Sequence, residues 1–130
     1  MFNQDYDQLF EMANVHKSDS RLPVNLYFTC NGDAGVASHN ALRIKVQRTR
    51  GDNVDPNSLS PLVFHTTPGY ERITEIKWVG REPKKSEIST SDLNRIIRYI
   101  KQNWEIVVKH WCGELNDRQF LAAMPEEKIG

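Results

Sequence analysis

Apolar residues recur at three- and four-residue steps through the C-terminal third of the chain. Leu93, Ile96, Ile97, Ile100, Trp104, Val107, Val108 and Trp111 form one stripe, and Arg95, Arg98, Lys101, Gln102, Glu105 and Lys109 fall between them. A period near 3.6 with the polar residues set apart predicts one long amphipathic helix, from about Ser91 to Cys112, laid on a hydrophobic surface. Ser89, Ser91 or Asp92 supplies its N-cap, and Gly113 its C-cap. A shorter helical stretch follows within 115–124 and is stopped by Pro125. Residues 126–130 read as a frayed end.

The middle of the chain has a different period. Val24, Leu26, Phe28 and Cys30 alternate with Asn25, Tyr27 and Thr29, the signature of a half-buried strand. Leu42, Ile44 and Val46 alternate with Arg43, Lys45 and Gln47 in a second strand over 41–49. Turn residues in Gly51-Asp52-Asn53, Asp55-Pro56-Asn57 and Ser60-Pro61 make a long connection. Two further strands are predicted over 62–65 and 73–79, joined at Pro68-Gly69, where glycine accepts the positive φ of a type II turn. Residues 3–16, with Tyr6, Leu9, Phe10 and Ala13 on one side, read as an N-terminal helix. Lys17 to Arg21 reads as a polar link.

The expected fold is therefore α+β in one unit over 1–130. A small, mainly antiparallel sheet of about four strands within 23–80 carries the helical part, 90–124, across one face, with the N-terminal helix packed at an edge or extended to a partner. The other face of the sheet is left to solvent or to a partner.

Charge changes this picture little. Seventeen Lys and Arg residues balance seventeen Asp and Glu, so only a local patch, not bulk electrostatics, would draw in a nucleic acid. No apolar run nears the ~18 residues that span a bilayer, so no membrane partner is expected. Residues 1–5 are polar and acidic, unlike a secretory leader. With only Cys30 and Cys112 as thiols, the expectation is a cytoplasmic protein with reduced cysteines.

Few residues suggest chemistry. On the outer sheet face Tyr27 lies beside Arg43 and Lys45, and Arg48 and Arg50 extend the cationic run. A ring among cations is a surface that holds phosphates and stacks a base, although outward polar residues are also what any half-solvated strand shows. Gly32-Asp33-Ala34-Gly35 lacks the lysine and hydroxyl of a phosphate loop and reads as a turn. His16, His39, His65, His110, Cys30 and Cys112 have no zinc-site spacing, and His110 and Cys112 point to different sides of a helix, so no metal or other cofactor is expected. Cys30 with His39 or His65 is the one nucleophile–base combination, but Cys30 falls on the inward side of its strand. Arg43, Lys45, Tyr27 and a histidine would suffice for a metal-independent ribonuclease.

Three segments resemble a group of small uncharacterised bacterial proteins of prophages and other mobile elements. They are Arg43-Ile44-Lys45-Val46-Gln47 with Gly51-Asp52-Asn53-Val54-Asp55, the helix pattern Asp92-Leu93, Ile96, Tyr99-Ile100 and Asn103, and Gly113-Glu114-Leu115-Asn116-Asp117 with Phe120. The resemblance implies a cytosolic accessory protein and carries no site residues. The functional expectation is a non-catalytic protein-binding module, an inhibitor or accessory factor. The alternative is nucleic-acid binding, or ribonuclease action, on the outer sheet face through Tyr27, Arg43, Lys45, Arg48 and Arg50.

Overall fold

The computed structural model describes residues 13–29, 40–49 and 56–128. Five strands appear among them: β1 (Ala13–Val15), β2 (Leu26–Phe28), β3 (Ala41–Gln47), β4 (Leu59–Thr66) and β5 (Ile73–Trp78). They form one antiparallel sheet in the order β1-β2-β3-β4-β5. Four helices accompany it: α1 (Lys17–Ser20), α2 (Thr90–Gln102), α3 (Trp104–Trp111) and α4 (Asp117–Ala123). The fold is α+β, with one strand more than the alternation predicts.

The extra strand corrects the N-terminal helix. That helix falls mostly on residues outside those described, but its expected last turn is β1, with Ala13 opposite Phe28 and Val15 opposite Leu26. Ala13 and Val15 are buried. Pairing and burial against β2 outweigh the local helical pattern, as tertiary context commonly does. The expected polar link also contains the single turn α1. It ends at Arg21, whose φ of 67° is left-handed and whose N–H bonds the Lys17 carbonyl.

The inner face alternates as predicted. Leu26, Phe28, Leu42, Ile44, Val46, Leu62 and Phe64 are each at most 2% exposed and share one core with Ile96, Tyr99 and Ile100 of α2, Val107 and Trp111 of α3, and Phe120 of α4. β4 begins earlier than expected, because Pro61 lies within it. The Val79 N–H bonds the Pro61 carbonyl just past the end of β5. The missing Pro61 N–H therefore removes no bond from the paired ladder.

The long helix is two helices. Asn103 (φ −114°, ψ 23°) interrupts it, and its side-chain Nδ2 donates to the Tyr99 carbonyl at 2.9 Å. A side chain that bonds the backbone in this way is a recognised cause of a break. Ser89 caps α2 by accepting from the Asp92 N–H, and Gly113 follows α3 with φ 81°. α4 starts in a reciprocal cap between Asn116 and Gln119.

The expected fray is also corrected over 126–128, where the chain forms a strap. The Glu127 N–H donates to the Ser20 carbonyl at 2.7 Å, and the Tyr99 hydroxyl donates to the Pro125 carbonyl at 2.6 Å. Arg95 donates to both carboxylate oxygens of Glu127, at 3.0 and 2.8 Å. That pair draws the Glu127 carboxyl below its ordinary pKa and raises that of Arg95. Burial pushes the Tyr99 phenol up to about 12.

Candidate functional site

The outer face of the sheet divides into two halves. Strand parity places Asn25, Tyr27, Lys45 and Gln47 at one end, and Arg43, Val63, His65, Glu75 and Lys77 toward the other.

The first half is closed. Asn25, Tyr27 and Gln47 are 1%, 2% and 0% exposed. Asn25 Nδ2 and the Tyr27 hydroxyl both donate to Gln47 Oε1, at 3.0 and 3.2 Å, and Gln47 Nε2 donates to Thr49 Oγ1 at 2.9 Å. Asn25 Oδ1 accepts the Lys17 N–H at 2.7 Å. Each amide is thus satisfied on both sides, which a buried amide requires. Burial holds the Tyr27 phenol above its usual pKa, an effect that its hydrogen bonding with Asn25 offsets in part.

These facts correct the expected stacking platform. Tyr27 is a buried member of a hydrogen-bonded network and offers no ring face to a base. Arg48 is corrected as well, because its side chain is 4% exposed and braces the end of β3. Its Nη1 donates to the Leu59 carbonyl at 2.8 Å and to Ser60 Oγ at 3.0 Å, and its Nη2 donates to the Asn57 carbonyl. Glu87 lies 3.8 Å from Nε. The Lys84 N–H, and the charges of Arg81 and Arg48, hold the Glu87 carboxyl below the usual carboxylate range. Arg50, Cys30, His39 and the Gly32–Gly35 loop fall outside the described residues.

The second half is open along β5, where Glu75, Lys77 and Val79 are exposed; Ala41, Arg43 and His65 are half-buried, and Val63 between them is 9% exposed. Arg43, Val63 and Lys77 stand side by side across β3, β4 and β5, and Ala41, His65 and Glu75 form the next row. Ala41, Val63 and Val79, with Leu42 and Trp111, line a groove of about 350 Å³ together with Arg43, His65 and Lys77. Val79 is 44% exposed, a large apolar side chain left facing water. Glu75 sits 3.4 Å from Lys77 Nζ. Of the residues that alternation singles out, Arg43 lies here and Lys45 lies in the first half; Lys77 and Val79 are not among them. The signal was present in β5, where Glu75 and Lys77 alternate with Ile76 and Trp78.

The remaining histidines are used locally. His16 caps α1 by accepting the Ser18 N–H. His110 is buried, stacks on Phe120 at 4.3 Å between ring centroids and meets Asp117 at 2.7 Å. Among the described residues, no group of three His, Cys, Asp or Glu side chains is placed to hold a metal ion, and no helix is long and apolar enough to cross a membrane. No protein-family model matches the chain, and no match was found among curated proteins or solved structures.

Proposed function

We propose that this protein is a non-catalytic binding module that takes an acidic protein surface onto the open half of its outer sheet face. The observation that carries the reading is the row Arg43–Val63–Lys77: two cations flanking an apolar floor that Ala41 and Val79 extend. An apolar centre with a charged rim is the usual anatomy of a protein interface. Nucleic-acid binding without sequence preference combines cations with exposed rings, and burial of Tyr27 takes the ring away. The resemblance to mobile-element proteins fits an inhibitor or accessory factor that acts on another cytoplasmic protein.

The test is capture from a bacterial lysate on the tagged protein at low and high salt. The expected result is a protein retained at high salt and lost with Arg43→Glu. Retention of nucleic acid that falls steeply with salt would overturn the protein-binding reading, because phosphate contacts release counterions.

One observation favours a second reading, a metal-independent ribonuclease. His65 stands directly opposite Glu75 on the face that carries Arg43 and Lys77. An acid–base pair beside two cations is what phosphodiester cleavage needs. RNA cleavage by the parent that disappears in His65→Ala would establish it. Cleavage unchanged in that variant, or absent from the parent, would remove it.

A further inference from the structure

Among the described residues, β5 is the last strand of the sheet and pairs only with β4. The Val79 N–H bonds the Pro61 carbonyl, and that bond sets the parity of the ladder. Glu75 and Lys77 direct their backbone groups toward β4, so Ile76 and Trp78 present theirs to the free edge. A free edge of this kind is a template for another strand. On the inner side, Ile76, Trp78, Leu93 and Ile97 are only partly buried and, with Lys77 and Glu82 at its rim, line a mainly apolar groove of about 370 Å³ between β5 and α2.

The charges on the edge strand select the occupant. Glu75 and Lys77 are two residues apart on the same side of β5, and their side chains are 59% and 57% exposed. Charges of one sign at an edge repel every copy of the chain. Opposite charges two apart act differently. Two β5 strands that meet antiparallel with Ile76 facing Ile76 bring each Glu75 opposite the other copy's Lys77. The register shifted by one residue on each strand sets Lys77 against Lys77 and is disfavoured. In the complementary register the outward groups of Ile76 meet in a mutual hydrogen-bonded pair. The two mainly apolar grooves then lie next to each other beneath the joined sheet.

We propose that a second copy of this chain docks on the β5 edge, making a twofold dimer whose continuous sheet is held in register by reciprocal Glu75–Lys77 pairs. This surface shares Lys77 with the proposed binding row but not Arg43, which lies two strands away.

Sedimentation velocity over a concentration series tests it, with circular dichroism to verify that each variant is folded. The parent is expected to dimerise. Glu75→Lys and Lys77→Glu each turn both cross-strand pairs into like-charge pairs and should weaken the dimer by about tenfold to a hundredfold. An equimolar mixture of the two variants should recover it as a heterodimer, and the double variant Glu75→Lys/Lys77→Glu should recover it alone. Arg43→Glu should dimerise like the parent. A parent that stays monomeric to roughly 100 µM, a concentration at which a micromolar dimer is mostly assembled, would overturn the proposal. So would single variants that dimerise as well as the parent, or a mixture that fails to recover the dimer.

Discussion

The closed and open halves of the outer sheet face are built from the same alternating strand pattern, yet they differ in burial and in what their polar groups bond. At the β2–β3 end, Asn25, Tyr27 and Gln47 are buried and satisfy one another. At the β4–β5 end, Val79 faces water and Glu75 and Lys77 stand out from the sheet. Polar residues are therefore structural in the first half, where losing one partner strands the others in a low-dielectric site. In the second half Glu75 and Lys77 are more than half exposed and pair only across the surface, so their replacement is expected to cost the fold little.

Variants can break this comparison. The largest effect is expected for Tyr27→Ala, about 3–4 kcal/mol of unfolding free energy in urea, because it deletes a buried ring. Gln47→Leu should cost about 1–3 kcal/mol, since the Asn25 amide and the Tyr27 hydroxyl lose their acceptor. Glu127→Gln provides a reference away from the face. It should cost about 1 kcal/mol at neutral pH, a low value because Arg95 is one-third exposed and partly screened. The folded-state pKa of Glu127 is depressed. Its contribution is therefore complete above the unfolded carboxylate value of about 4.3 and is lost as pH falls through the folded value. Parent and variant should converge in acid, as urea titrations at several pH values would show. Lys77→Ala should change stability by no more than about 0.5 kcal/mol. A cost above 2 kcal/mol would mean that the open half is structural too.

Alkaline titration sharpens the contrast. The Tyr27 and Tyr99 phenols have raised pKa values, with Tyr99 at about 12. Both are neutral below the unfolded value of about 10, where their contribution to stability is complete. It should decline as pH rises from there through the folded values. Absorbance of the phenolate near 295 nm in Tyr27→Phe and Tyr99→Phe should each show one late-titrating group fewer than the parent.

The inner face was legible because a period of two with Val, Ile, Leu and Phe has one reading once a core exists. Its neighbours were less so. Ala13-Asn14-Val15 is too short to outvote the helical spacing of Tyr6, Leu9, Phe10 and Ala13, and only the pairing with β2 decides it. Asn103 breaks the long helix through one side-chain bond that periodicity does not register. On the outer face, alternation located Arg43 and Lys45 but read Tyr27 and Gln47 as solvated. That two amides and a phenol meet there depends on the cross-strand register, which no single strand encodes. Arg48 follows the last residue of β3, where alternation ceases to predict direction.

The most direct test of the division is to carry Gln47→Leu and Arg43→Glu side by side through thermal unfolding and high-salt capture from lysate. The account predicts opposite outcomes. Gln47→Leu should unfold at lower temperature yet retain the same captured protein, while Arg43→Glu should unfold like the parent and lose it. Arg43→Glu that keeps the captured protein, or that lowers the unfolding temperature as far as Gln47→Leu does, would contradict the assignment of binding to the open half.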